Sequence, residues 1–190
     1  VYLVEHAKLF KGIKIFDLCD PDWTNRERVL EMINQCDAVT VPTETLREFL
    51  QSITNKPVVT IKDRQDLDFY KEKKVHRGRA KEVVWFGYSH NAHVVKSVLP
   101  SLEKYKLELS IISNEMLTVT AYSQERREKR IKERWTKWNL DTVNKETIKS
   151  DIVIMPTSIR PNDRFKSENK TTSAWCLKMF LEIVVFAVAF

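Results

Sequence analysis

KSDIVIMPT, at residues 149–157, nearly repeats QCDAVTVPT, at residues 35–43. In each copy an aspartate (Asp151 or Asp37) precedes a short apolar run and Pro-Thr, which predicts a brief strand buried on both faces. Such strands belong to parallel sheets with helices on either side, and ligands bind beyond their carboxyl ends. The Pro-Thr is expected to end each strand. We interpret the copies as equivalent strands of two similar α/β units; coincidence between two strands of one sheet is the alternative.

The composition is ordinary for a globular protein and has an excess of positive charge. The chain has 190 residues, is 43% hydrophobic and 31% charged, and carries a net charge of +6. Three cysteines without a CxxC pattern (Cys19, Cys36 and Cys176) favour a reducing compartment, so we expect a cytoplasmic protein. Basic residues concentrate at 71–81 and 126–134. They are either a linker and a solvated helix face, or they attract nucleotide phosphates, an acidic membrane surface or nucleic acid.

The first third of the chain predicts a β-α-β-α-β run. Strands are expected at Ile13–Leu18, Ala38–Val41 and Pro57–Ile61. A capping box of Thr24 and Glu27 begins the first helix. Thr43 or Thr45 caps the second, whose inner face is Leu46, Phe49, Leu50 and Ile53. Connections of this length require parallel pairing.

A charged segment at about 63–81, the crossing, is expected to connect the two units. The remainder of the chain repeats the strand–helix alternation after it. Strands are expected at Val83–Phe86, Leu107–Ser113 and Ile152–Met155. Met116–Tyr122 is a candidate strand, and the basic run after it is a helix or a loop. Helices are expected from Ser89 or Asn91, with a kink or restart at Pro100, and then around Lys145–Ile148 and Glu168–Leu177. The apolar tail FLEIVVFAVAF (180–190) is too short to span a bilayer, so we expect a buried terminal strand rather than an exposed one prone to aggregation.

Several common site motifs are absent from the sequence. It contains neither GxxxxGK[ST] nor GxGxxG, the classical fingerprints of mononucleotide and dinucleotide sites. It also lacks GxSxG, which argues against a serine hydrolase. His90 and His93 are three residues apart but lack a neighbouring carboxylate or thiol, so no metal site is expected.

The segment PTSIRPNDRFKSENKTTSAW (156–175) carries the strongest site signal. Its predicted helix begins among lysines, hydroxyls and an amide: Lys166, Ser167, Asn169, Lys170, Thr171 and Thr172. Helix N-termini favour anions, so lysines there oppose the helix dipole unless a bound anion balances them. We expect a diphosphate site here, and an N-cap with a solvated first turn is the alternative. In WFGYSHN (85–91), Gly87 lets the backbone approach a ligand closely.

Five segments in this order resemble the middle and late parts of group 1 (family 4-like) glycosyltransferases of GT-B architecture. They are KIFDLCDPDW, CDAVTVPTETL, VVWFGYSHNA, SDIVIMPT and FKSENKTTSAW. The resemblance implies an α/β fold of two Rossmann-like units, an incomplete N-terminal, acceptor-side unit (1–75) and a C-terminal, donor-side unit (76–190). It implies transfer of a sugar from a nucleotide-sugar donor to an acceptor, without a separate cofactor or metal.

The resemblance also assigns residues. Lys166 and Lys170 would be catalytic, stabilising the leaving diphosphate. Donor-binding residues would be Gly87, Tyr88, Asn91, Thr157, Arg160, Ser167, Asn169 and Thr171, and acceptor-side residues would be Asp17, Asp20 and Thr43. The family's acidic pair, spaced E-x7-E, is replaced here by Phe165 and Ser173, and its G-x-P-V turn after Leu177 is also absent.

These departures define the alternatives. The sequence resembles the centre of a longer enzyme, so we expect a truncated chain that binds donor but does not turn it over efficiently. A non-catalytic nucleotide-sugar-binding protein is the second hypothesis. A glycan or lipid-linked acceptor and a position at the inner face of the membrane remain open, and nucleic acid is not an expected partner.

Overall fold

The computed structural model describes residues 4–19, 26–120, 131–158, 165 and 167–186. Over these residues the fold is mixed α/β, and every strand pair is parallel. The chain divides into two compact units. Unit 1 is Val1–Arg64 with Arg160–Glu168, and unit 2 is Gln65–Ile159 with Asn169–Phe190.

Unit 1 contains a three-stranded sheet in the order β1-β2-β3. Its strands are β1 (Ile15–Asp17), β2 (Ala38–Val41) and β3 (Val58–Thr60), and its helices are α1 (Val4–Leu9), α2 (Arg26–Gln35) and α3 (Glu44–Gln51). This is the predicted β-α-β-α-β run. Thr24, the expected cap of α2, lies outside the described residues.

The described sheet of unit 1 is buried on one face and exposed on the other. Val39 and Val41 are buried with the inner faces of α2 and α3, whereas Ile15 and Val59 are 61% and 50% exposed. Thr40, between the two buried valines of β2, is only partly buried. The prediction that β2 is buried on both faces is therefore wrong, because its helices pack against one face.

Helix α3 begins where the sequence places it. The Thr43 hydroxyl accepts a hydrogen bond from the Leu46 N–H, at 3.3 Å, so Thr43 rather than Thr45 is the N-cap. Leu46 and Leu50, four residues apart, are both fully buried. In this copy of the repeated phrase the Pro-Thr ends the strand and begins the helix, as predicted.

Unit 2 contains a five-stranded sheet in the order β6-β5-β4-β7-β8. Its strands are β4 (Glu82–Phe86), β5 (Glu108–Ser113), β6 (Glu133–Lys137), β7 (Ile152–Ser158) and β8 (Phe180–Phe186). A 3₁₀-helix (Ser89–Val98) leads into α4 (Leu99–Tyr105), with Pro100 in the first turn, and α5 (Val143–Thr147) and α6 (Asn169–Cys176) follow. Counted along unit 2, the order is 3-2-1-4-5, as in the first five strands of a Rossmann sheet.

Both faces of this second sheet are covered. Trp85 and Ile154 pack on one side with the 3₁₀-helix and α4, while Val153 and Met155 pack on the other with residues of α6. The prediction that the second copy of the phrase forms a strand buried on both faces is confirmed. Strand β8 confirms the expected strand over residues 180–186. Phe180 at its start is 62% exposed, and the burial of the strand stays a prediction.

The candidate strand at Met116–Tyr122 does not form over its described residues, and strand β6 was not predicted. Met116–Thr120 forms no strand; instead the backbone N–H groups of Val119 and Thr120 donate to the Glu133 carboxylate, at 2.8 and 3.0 Å. The strand is β6, whose sequence ERWTK has no apolar run and forms by pairing with β5. The last two residues of the predicted strand, 121 and 122, lie outside the described residues.

The Pro-Thr of the second copy does not end its strand. β7 continues through Pro156 to Ser158 because β8 pairs with it along its whole length. The ladder between β7 and β4 stops at Val153. Pro156, which has no N–H to donate, therefore lies beyond the part of β7 that needs partners on both sides.

The charged crossing belongs to unit 2 as far back as Gln65, before the predicted boundary at residue 75. Tyr70 is only 7% exposed and lies in a unit 2 core cluster. The Lys74 N–H donates to the Leu177 carbonyl, at 2.8 Å. The assignment of the two units to acceptor and donor stays a prediction.

Candidate functional site

The repeated aspartates are clamps between strands. An Asp37 carboxylate oxygen accepts the Lys14 N–H at 2.7 Å, and one Asp151 oxygen accepts the N–H groups of Lys81 and Glu82 at 2.8 and 3.2 Å. In both units the aspartate immediately precedes its own strand, and its donors lead into the neighbouring parallel strand. The shared Asp therefore fixes strand register at the amino ends, away from the edge where ligands bind.

Asp151 has a further ionic contact. The Lys74 ammonium lies 3.0 Å from its carboxylate, and both side chains are largely buried. Burial raises the pKa of Asp151, but the N–H groups of Lys81 and Glu82 and the Lys74 ammonium outweigh it and hold the pKa below its ordinary value. This carboxylate is ionised at neutral pH and acts as part of the scaffold.

The carboxyl ends of β4 and β7 form the topological switch point of unit 2. From β4 the chain proceeds to β5 on one side, while β7 pairs with β4 on the other. Connections leave such a pair in opposite directions, which opens a crevice where open α/β sheets bind ligands. Gly87 directly follows β4, and α6 begins eleven residues after β7 ends (169 − 158 = 11).

A side chain at Gly87 would require the buried Trp85 ring to shift. A Cβ built there would lie 2.8 Å from the Lys170 ammonium nitrogen and 2.9 Å from the Trp85 ring. Its own N–H donates to the Ile112 carbonyl at 3.0 Å, which holds the turn against β5. Sequence analysis identified Gly87 and Lys170 separately, and the structure brings them into contact.

Lys170 adds positive charge at the start of α6. Its ammonium nitrogen lies 5.6 Å from the centroid of the Trp85 ring, within the range of a cation–π contact. The residue is exposed, and Trp85 is only 3% exposed. A rigid indole thus positions a cation where helix N–H groups already favour an anion.

The start of α6 is held by residues of the crossing. The Gln65 amide donates to the Thr172 hydroxyl at 3.0 Å and to the Asn169 side chain. The Tyr70 and Ser173 hydroxyls share a hydrogen bond of 2.9 Å. Sequence analysis missed Gln65 and Tyr70, since no local pattern marks a contact across a hundred residues.

The two other predicted residues follow Gly87: Tyr88 precedes the 3₁₀-helix, and Asn91 lies in its first turn. Tyr88 is 65% exposed, and its carbonyl accepts the Asn91 N–H at 2.9 Å. Between them, the Ser89 N–H donates to the Asn114 side chain at 2.8 Å. Asn114 follows β5, and no motif in the sequence marks its role.

Of the remaining predicted donor-side residues, three lie among the described residues and two do not. Thr171 lies in the first turn of α6, and Ser167 lies two residues before it begins. Thr157 lies on β7, paired with Val185 of β8. Lys166 and Arg160 lie outside the described residues.

The acceptor-side predictions fall in unit 1. Asp17 ends β1 and accepts a hydrogen bond of 2.6 Å from the Thr40 hydroxyl. The Thr43 hydroxyl caps α3 and also donates to the Phe165 carbonyl at 3.0 Å, so it already has a structural role. Asp20 lies outside the described residues.

The two positions where the resembled family has acids are also occupied structurally. Phe165 is 4% exposed and packs edge-on against Phe49, with ring centroids 5.6 Å apart. Ser173 donates to the Asn169 carbonyl at 2.8 Å. Neither side chain carries an ionisable carboxylate.

Metal-ligand clusters and membrane-spanning helices are both absent from the described part of the chain. It holds no group of three or more His, Cys, Asp or Glu side chains suited to a metal ion. None of its helices has both the length and the apolar character needed to cross a membrane.

Comparisons with known proteins leave the family open. No protein family and no curated protein matches the chain. Among solved structures it is similar to the "Glycosylation Associate Protein (Gap123) complex from Streptococcus agalactiae", with a TM-score of 0.49 and 12% identity. The similarity covers 98% of this chain and 42% of that chain, so this chain spans less than half of its length. A TM-score below 0.5 does not establish a shared fold.

Proposed function

We propose that unit 2 binds the diphosphate of a nucleotide-sugar at the carboxyl ends of β4 and β7, and that the chain is a glycosyltransferase or part of one. The observation that carries the proposal is the closeness of the Lys170 ammonium to Gly87 at this switch point, where a Cβ on Gly87 would lie 2.8 Å from its nitrogen. Close backbone approach, a fixed cation and a helix N-terminus are what a diphosphate requires.

The chemistry follows from charge. As an acceptor oxygen bonds to the anomeric carbon and its proton passes to water, the bond to the diphosphate breaks, and the diphosphate takes the electron pair and gains negative charge. Lys170, which lies over the Trp85 ring, and the N–H groups of α6, whose start is bonded to Gln65, stabilise that charge. We propose Thr157, Asn169 and Thr171, which belong to unit 2, as further donor contacts. The roles of Lys166, Arg160 and Ser167 stay expectations from the resemblance.

A non-catalytic nucleotide-sugar-binding protein is the second candidate. The observation that favours it is the structural use of Phe165 and Ser173, which leaves the acidic pair of the resembled family without a replacement at those positions. The two candidates share the diphosphate site and differ in transfer to an acceptor, for which Asp17, Asp20 and Thr43 are proposed. A cytoplasmic location, with the inner face of the membrane open, is part of the first candidate.

Replacing Lys170 tests the shared site. Lys170→Ala should weaken binding of UDP, GDP or ADP by about 10- to 100-fold, since a charge-assisted phosphate contact is worth ~1.5–3 kcal/mol. Isothermal titration should show little change for the nucleoside alone. The control is Lys104→Ala, because the Lys104 ammonium also lies over an aromatic ring, 5.3 Å from the Tyr105 centroid, but at the end of α4.

Equal loss in both lysine variants, or equal loss for diphosphate and nucleoside, would contradict the site. Sugar transfer distinguishes the two candidates: nucleotide release from a nucleotide-sugar that depends on an added acceptor supports the glycosyltransferase. Tight nucleotide binding without such release supports the binding protein.

A further inference from the structure

Tyr88, just before the 3₁₀-helix, and His90, in its first turn, present two aromatic rings to solvent. The rings of Tyr88 and His90 are stacked, with centroids 5.7 Å apart and planes inclined by 20°. Tyr88 is 65% exposed, and His90 is also exposed, so the stack leaves much of each ring accessible. Neither ring belongs to a core cluster, so packing does not account for the pair.

The backbone between the rings is fixed. The Ser89 N–H donates to the Asn114 side chain at 2.8 Å, and the Ser89 hydroxyl donates to the Glu115 carboxylate at 3.1 Å. Both partners follow β5, the neighbouring strand. The aromatic pair is therefore held at the carboxyl edge of the sheet by hydrogen bonds to its scaffold, which lowers the entropy lost when a ligand stacks on it.

The pair adjoins the proposed diphosphate site. Tyr88 follows Gly87 directly, and consecutive Cα atoms are about 3.8 Å apart. A nucleoside diphosphate joins two anionic groups to a flat aromatic base through one ribose. The structure offers the features in the same order: the Lys170 ammonium beside Gly87 for the diphosphate, and then the exposed rings of Tyr88 and His90 for the base.

We propose that Tyr88 and His90 form a stacking platform for the base of the nucleotide whose diphosphate binds at Gly87 and Lys170, an inference that rests on the proposed function. Every nucleobase has a π face, so stacking adds affinity with little preference among bases. The platform distinguishes a nucleotide from a free diphosphate. Selection among bases then depends on other contacts.

The test compares ligands with and without a base. Tyr88→Leu, which keeps bulk but removes the ring, should weaken binding of UDP, ADP and GDP by about 5- to 100-fold. Binding of inorganic pyrophosphate should stay within about twofold. Tyr88→Phe keeps the ring and should bind all four ligands like the wild type. The control is Tyr105→Leu, which removes a similarly exposed tyrosine (53%) at the end of α4.

The outcomes separate the two proposals. If pyrophosphate binds and Tyr88→Leu changes neither the UDP affinity nor the pyrophosphate affinity, the platform is wrong and the diphosphate site stands. If Tyr88→Leu weakens both ligands equally, Tyr88 acts on the loop, and the platform is again overturned. If the wild type binds neither ligand, the diphosphate site fails and the platform with it.

Discussion

The two copies of the repeated phrase lie in sheets of different construction. In unit 1, β2 buries Val39 and Val41 but leaves Thr40 partly exposed, so its sheet has one covered face. In unit 2, β7 buries Val153, Ile154 and Met155 in succession, so its sheet is covered on both faces. Identical flanking residues, Asp and Pro-Thr, do not determine how many layers form.

The two copies share an aspartate that holds a neighbouring strand, and the units differ in the residue that follows their first strand. Asp37 and Asp151 both clamp the entry of a neighbouring strand. In unit 1 the first strand is followed by Leu18, which is 3% exposed, whereas in unit 2 it is followed by Gly87 beside Lys170. A repeated phrase therefore marks equivalent strands, while the site depends on residues outside it.

Exchanging the equivalent middle residues should produce the largest effect. Ile154→Thr places a hydroxyl in a buried layer and removes methyl contacts, so we expect a loss of about 3 kcal/mol in the free energy of unfolding. Thr40→Ile should cost about 1 kcal/mol or less, since Thr40 is partly exposed and loses only its bond to Asp17. Urea unfolding followed by circular dichroism measures both. Equal costs would show that the two sheets are layered alike.

Removing the clamps should have a smaller effect, again unequal between the units. Asp151→Ala loses two backbone donors and an ion pair with a largely buried lysine, so we expect about 2 kcal/mol. Asp37→Ala loses a backbone contact to Lys14 from an exposed position, so we expect about 1 kcal/mol. The same unfolding measurement applies, and a larger loss for Asp37→Ala would contradict the assignment of the stronger clamp to unit 2.

Lowering the pH should remove the contribution of Asp151 to the free energy of unfolding, an effect smaller than that of Asp151→Ala. The pKa of Asp151 is lower in the folded protein than its ordinary value, so the folded state binds this proton less readily than the unfolded state does. Its contribution is fully present above the ordinary value, about pH 4, and is lost as the pH falls through the lower folded value. Unfolding at pH 3 and pH 7 should therefore differ less in Asp151→Asn than in the wild type. If stability at pH 3 and pH 7 differed as much in Asp151→Asn as in the wild type, the Asp151 carboxylate would not contribute to the pH dependence of stability.

Local patterns sufficed for the elements whose residues interact nearby. The Ala38–Val41 strand, the Thr43 cap and the strand of the second phrase follow from apolar runs and a helix signal a few residues long. Strand β6 could not be predicted, because the ERWTK segment forms a strand through pairing with β5 and lacks an apolar run. The one-sided burial of unit 1 depends on where helices pack, which alternation in a four-residue strand does not reveal.

The candidate site was predictable in its parts and not in its assembly. Gly87 and Lys170 were identified from a strand–Gly–helix pattern and from a lysine at a helix start. Their contact depends on the order of strands in unit 2, which places β7 beside β4. Gln65 and Tyr70, which hold α6, lie in a charged segment that sequence analysis treated as a crossing.

A titration with UDP, followed by the backbone amide chemical shifts, tests which unit binds the ligand. It reports on residues of both units in one experiment. We expect shifts at Gly87 and at Asn169–Thr171 in unit 2, with Thr43 and Glu44 at the start of α3 unchanged. These changes should saturate with UDP concentration and weaken in Lys170→Ala. Shifts confined to the start of α3, with Gly87 and Lys170 unmoved, would contradict the proposed diphosphate site and place the ligand in unit 1.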